Sequence, residues 1–161
     1  MGSNKMKRSF TIIETLVALA IFSLGLIYLG SSIWQSYSMS SQAVERAIAV
    51  YLAQEGLEIV KNLRSENYLK ERVWNEGLGQ GDYEADYNDS SLSLYSGRNL
   101  KIDPSTGFYN YETGEFSPFK RKISISYPSQ EQMKVKVTVE WERKGQIEQF
   151  SLTEILYNYL K

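Results

Sequence analysis

The chain has 161 residues, with 18 Lys and Arg against 19 Asp and Glu, a net charge of −1, and neither cysteine nor histidine. So even a balance sets up no global field to attract nucleic acid or anionic lipid. The missing cysteine excludes disulfides and thiolate metal sites, and the missing histidine removes the commonest general base and metal ligand. Beside one long apolar stretch there is room for a single further domain of roughly 100–130 residues. Twelve tyrosines and three tryptophans suit a strand-rich, surface-exposed domain.

In chain order, residues 1–9 read as a short basic leader: Lys5, Lys7 and Arg8 are present and no acid is. The stretch Phe10–Trp34 follows, FTIIETLVALAIFSLGLIYLGSSIW, with Glu14 its single charge; no charged residue occurs from Thr15 to Val44. At about 1.5 Å per helical residue, Ile12–Trp34 is roughly 35 Å long, enough to cross a bilayer core of about 30 Å. Cations retained on the cytoplasmic side place the N-terminus inside and the rest of the chain outside. An acid in such a segment costs about 2.5–3.5 kcal/mol at mid-helix and less near an end, and is usually paired and functional. Two plainer readings stand beside this: a signal anchor with Glu14 at headgroup level, and a secretory signal cut near Gly30-Ser31-Ser32.

The run Lys7-Arg8-Ser9-Phe10-Thr11-Ile12-Ile13-Glu14-Thr15-Leu16-Val17-Ala18-Leu19-Ala20 resembles the class III leader and N-terminal helix of type IV pilins and type II secretion pseudopilins. Within it, ETLVALAIFSL is similar to the minor, PilV-like and GspI-like members. The resemblance implies a prepilin peptidase cut between Ser9 and Phe10, N-methylation of Phe10, and Glu14 as the acidic residue used in filament assembly. It further implies, as partners, other pilin or pseudopilin subunits through the helix, the peptidase, an inner-membrane assembly platform, and lipid before assembly. Two positions depart from the family pattern. Ser9 stands where glycine is usual, and no proline lies near Ser31. The physics of Glu14 follows from the cut, which leaves a cationic amine on Phe10. A carboxylate four residues along can pair with its own amine or a neighbour's, and in low dielectric that pairing favours one axial register.

From Gln35 the helical pattern continues. Ala43, Ala47, Val50, Gln54, Leu57 and Lys61 fall on one face, with Val44, Ile48, Leu52, Ile59 and Leu63 beside them. With no proline before Pro104, one helix is expected from about Thr11 to Asn67, spanning lipid in its first half and amphipathic in its second. Gly56 in mid-helix costs about 1 kcal/mol relative to Ala, which suggests close approach of a strand or helix there. The segment Leu52–Arg64 again resembles the minor pilins. Residues 75–114 are turn-rich, with short strands expected at Leu92–Tyr95, Leu100–Ile102 and Phe108–Tyr111. Asp82, Glu84, Asp86 and Asp89 are weak calcium candidates, because their spacing is not that of an EF-hand; a solvated acidic loop is the simpler reading.

Alternation marks Ile123–Tyr127, Met133–Glu142 and Ile147–Leu152 as strands, the last two joined by a hairpin turn at Arg143-Lys144-Gly145-Gln146. This ending is also similar to the minor pilins. Leu152–Leu160 ends as a strand or a short helix, and Ile155, Leu156, Tyr159 and Leu160 favour a final helical turn. The expected fold is therefore α+β and pilin-like, a long N-terminal helix packed on an antiparallel sheet. It divides into a leader (1–9), a transmembrane and assembly half of the helix (10–34), an amphipathic half (35–67) and a turn-rich and sheet region (68–161).

The sequence holds no phosphate loop, dinucleotide fingerprint or nucleophile elbow, and no cofactor or enzymatic activity is expected. Glu112/Glu115 and Glu140/Glu142 are paired carboxylates without a pocket signal. Lys120-Arg121-Lys122 with Arg143-Lys144 form a weak nucleic-acid patch, more simply read as guards against edge pairing. Three functions are weighed: a minor pilin or pseudopilin, a single-pass membrane-anchored adhesin or binding module that does not polymerise, and a secreted binding module.

Overall fold

The computed structural model describes residues 11–158. The leader residues Lys5, Lys7, Arg8 and Ser9, together with Phe10, Tyr159 and Leu160, lie outside the described residues. One helix, α1, runs Ile12–Leu69, and contacts divide the chain between Val44 and Glu45 into two units.

In the first unit nothing among the described residues packs on α1. Ile12, Leu16, Leu19, Phe22, Leu26, Ile33 and Trp34 are all more than half exposed. Mean hydropathy reaches 2.3, and the helix is long and apolar enough to cross a membrane. Three of its hydroxyls are satisfied from within. Thr15 donates to the Ile12 carbonyl at 2.8 Å, Ser23 to Leu19 at 2.8 Å and Ser31 to Tyr28 at 2.9 Å. No polar side chain among these three therefore needs water, as a lipid environment demands.

In the second unit α1 continues from Glu45 and lies on a five-stranded antiparallel sheet in the order β2-β1-β6-β7-β8. The strands are β1 Gly81–Glu84, β2 Ser93–Leu94, β6 Phe119–Ser129, β7 Gln132–Arg143 and β8 Gln146–Tyr157. A small second sheet pairs β4 (Tyr109–Asn110), β3 (Lys101–Ile102) and β5 (Glu115–Phe116) in that order. Alternation puts Met133, Val135, Val137, Val139 and Trp141 of β7 inside, each at most 3% exposed, while Lys134 and Lys136 face water.

The buried helical stripe is Ala49, Leu52, Ala53, Gly56, Leu57, Ile59 and Val60. This corrects the face expected from periodicity, since Ala43, Ala47 and Gln54 are exposed. Small residues decide the choice: they let the helix backbone come close to β7. A Cβ on Gly56 would sit 2.9 Å from Val137 Cγ1 and 3.1 Å from Arg121 Cδ. The close approach expected at Gly56 is therefore present. Val137 is β-branched and held in an interior strand, so it has little freedom to move. Gly56→Ala is expected to destabilise the second unit by about 1–2 kcal/mol, because overpacking outweighs the gain in helix propensity. A chemical denaturation midpoint measures it.

Three further differences come from long-range pairing. Gly81–Glu84, expected to be loop, is a strand because β6 pairs with it from Tyr83↔Ile123 to Gly81↔Ile125. Glu115–Phe116 pairs with β3. The expected C-terminal helical turn is instead the end of β8: Ile155 and Leu156 pair with Lys134 and Met133, and Leu156 is buried. Ile147 falls on the wet face at 78% exposure, whereas Phe150, Leu152 and Leu156 share the inner face. The expected hairpin turn is present, with Lys144 (φ 51°) and Gly145 (φ 77°) both left-handed, as a two-residue type I′ turn requires.

Candidate functional site

The first turn of α1 carries the candidate assembly acid. Thr11 precedes the helix. Its carbonyl accepts from the Thr15 N–H at 3.2 Å, and its Oγ1 accepts from the Glu14 N–H at 3.2 Å. Threonine at the N-cap with glutamate at the third helical position is the capping-box pattern, and an acid in this turn also complements the helix dipole. Glu14 is exposed, on a helix whose other side chains from Ile12 to Val44 carry no charge. Ser9 and Phe10, the residues of the expected cut, lie outside the described residues.

The four weak metal candidates do not converge. Asp82 accepts the Ser124 hydroxyl at 2.6 Å and lies 3.7 Å from Lys122 Nζ. Glu84 is 3% exposed and binds Arg98 Nε at 2.7 Å and both the N–H and the hydroxyl of Ser96 at 3.0 Å. Asp86 accepts the Tyr111 N–H at 3.0 Å, while Asp89 accepts the Asp86 N–H at 2.8 Å. Burial holds the Asp86 carboxyl above the ordinary aspartate range, against the lowering effect of the Tyr111 N–H and reinforced by Asp89. Asp86 ties the β1–β2 connection to the residue after β4, and no group of three or more metal-holding side chains occurs among the described residues. An open cavity of about 510 Å³ beside them is lined by Asp86, Tyr87, Asp89, Arg98, Phe108 and Glu112.

The five cations of the weak nucleic-acid patch do not form one surface. Lys120 and Lys122 alternate with Arg121, which is fully buried. Arg143 turns to Glu45 at 3.3 Å and Glu148 at 3.8 Å. Along Lys120–Lys122 β6 is paired on its β7 side, whereas β1 pairs with β6 only from Ile123 to Ile125. Glu140 sits opposite Lys120, Glu142 opposite Ile147, and Glu112 lies 3.7 Å from Arg98, so the paired carboxylates do not converge into an acid–base site.

Arg121 is the residue that sequence reading missed. Its guanidinium donates to Glu55 Oε1 at 2.7 Å, the Leu52 carbonyl at 3.3 Å and the Ala85 carbonyl at 2.6 Å. One side chain thus joins α1, β6 and the end of β1, passing over Gly56 on the way. A signal was present: Phe119, Arg121, Ile123 and Ile125 share one strand parity, and that parity is the buried one.

Tyr111, 4% exposed, donates its hydroxyl to the Arg121 carbonyl at 3.2 Å, and its ring lies 4.5 Å from the Arg98 guanidinium carbon. Burial pushes its phenol up to about 12. An acid whose folded value lies above the unfolded one (about 10) stabilises the fold below that unfolded value. The stability is then lost as pH rises from about 10 to about 12, amounting to about 2–3 kcal/mol. Tyr109 and Tyr127, also raised by burial, act in the same direction. Tyr111→Phe is expected to flatten the alkaline limb of a stability-against-pH curve.

No curated protein and no solved structure matches the chain. Residues 4–29 match the family model of the prokaryotic N-terminal methylation motif, which spans the basic leader, Ser9, Phe10, Thr11 and Glu14.

Proposed function

We propose that the chain is the precursor of a minor pilin or pseudopilin, a structural subunit of a type IV pilus or a type II secretion pseudopilus. The observation that carries this reading is the methylation motif at residues 4–29 on a chain whose helix continues, apolar to Trp34 and uncharged to Val44, with its side chains exposed. The precursor sits in the inner membrane with its basic N-terminus inside and residues 45–161 outside. Prepilin peptidase removes residues 1–9, and Phe10 becomes the methylated N-terminus. The helix then leaves lipid by exchanging acyl chains for the equivalent helices of neighbouring subunits, a trade between two apolar environments driven by packing and polar pairing. Glu14 is the polar partner in that trade.

Fractionation of cells that express the full chain tests this. The chain is expected in sheared filaments at the processed size, and in the membrane at full length when the peptidase gene is deleted. A chain confined to the membrane while filaments are abundant would overturn the proposal in favour of an anchored module that does not polymerise.

A further inference from the structure

The connection between β1 and β2 carries a polar group that the fold leaves idle. Asn88 lies on the turn of residues 86–89, which two bonds close. The Asp89 N–H donates to the Asp86 carbonyl at 3.1 Å, and the Asp86 N–H donates to Asp89 Oδ2 at 2.8 Å. Between these anchors the Asn88 side chain is exposed and makes no hydrogen bond among the described residues. A turn held by its own ends thus presents a free carboxamide to solvent. Ser90, two residues on, is exposed as well. The run is therefore an Asn-x-Ser acceptor, with an acid, Asp86, two residues ahead of the asparagine. No other asparagine of the chain has a serine or threonine at that spacing.

The surroundings of the turn suit a carbohydrate. Asn88 lines the open cavity of about 510 Å³ together with Tyr87 and Phe108. Those two residues are 51% and 55% exposed, and their ring centroids lie 5.3 Å apart. A sugar joined to the amide has room there and an aromatic surface for its C–H face. We propose that Asn88 is an N-glycosylation site, the acceptor of an oligosaccharide transferred from a lipid pyrophosphate. The inference rests on the proposed function for one point only, that residues 45–161 lie outside the inner membrane. In the transfer, Asn88 Nδ2 bonds to the anomeric carbon of an oligosaccharide carried on a polyprenyl pyrophosphate. The bond from that carbon to the pyrophosphate oxygen breaks, and the lipid pyrophosphate leaves with the electron pair. The amide gives up one proton to a base of the transferase. The Ser90 hydroxyl, able to donate and accept, is the group by which the transferase selects Asn88.

The test uses the full chain from its own cell envelope, digested with trypsin, which releases residues 73–98 as one peptide. Electron-transfer fragmentation is expected to find that peptide heavier by an oligosaccharide attached at Asn88. Asn88→Gln and Ser90→Ala are each expected to lose the added mass, and Ser90→Thr to keep it. Both positions are exposed, so the variants are expected to fold, and their peptides at the unmodified mass show that the chain is present. An unmodified Asn88, in chain whose residues 45–161 are open to protease added outside the inner membrane, would overturn the inference and leave the proposed function standing. So would added mass that survives Ser90→Ala or sits on a hydroxyl. Residues 45–161 shielded on the cytoplasmic side would overturn the membrane placement and this inference with it.

Discussion

Arg121→Ala is expected to lower the unfolding free energy of the second unit by about 3–5 kcal/mol, the usual cost of removing one member of a buried charged network. The loss has identifiable parts. The Leu52 and Ala85 carbonyls lose their guanidinium donors, and the space along Gly56 and Val137 empties. Glu55 contributes less, because its side chain is 34% exposed and can turn to water. Arg121→Met, which refills the volume without the charge, is expected to recover part of the loss. Urea unfolding followed by the fluorescence of Trp74 and Trp141, both buried, separates the two variants. Equal midpoints for Arg121→Ala and the natural chain would show that the network contributes nothing.

Glu14→Ala is expected to leave leader removal within a few-fold of normal and to reduce incorporation into filaments by about tenfold or more. An amine on Phe10 carried into a helix bundle without an anionic partner costs several kcal/mol, and about 1.4 kcal/mol is already a factor of ten. Leader removal is spared for the most part because the substitution lies four residues past Phe10. The ratio of filament-borne to membrane-borne chain measures the effect. Normal incorporation of the variant would remove the charge-pairing argument.

Much of this architecture can be read from residue order because it depends on local periodicity. The charge-free run after Glu14 marks the apolar helix, and the alternation of Met133–Glu142 marks β7. Gly56 pointed to a close approach that the Val137 contact confirms. What escaped depends on partners distant in sequence. Asp82 and Glu84 disguise β1 as an acidic loop, yet Glu84 turns inward to Arg98, fourteen residues on. Arg121 reads as a surface cation until Glu55 and two carbonyls are brought to it from 36 to 69 residues away. Periodicity alone does not single out the buried helical face, because apolar residues surround the helix on several sides. Only contact with β7 favours the small residues Ala49, Ala53 and Gly56. The capping of Thr11 was available in the T-x-x-E pattern but was overshadowed by the acid itself.

The most direct test of the account is the intact mass and N-terminal sequence of the native polypeptide taken from its own cell envelope. The account predicts a chain that begins at Phe10 and carries one added methyl group on its amine. A chain that keeps residues 1–9, or one that begins near Ser32, would contradict it.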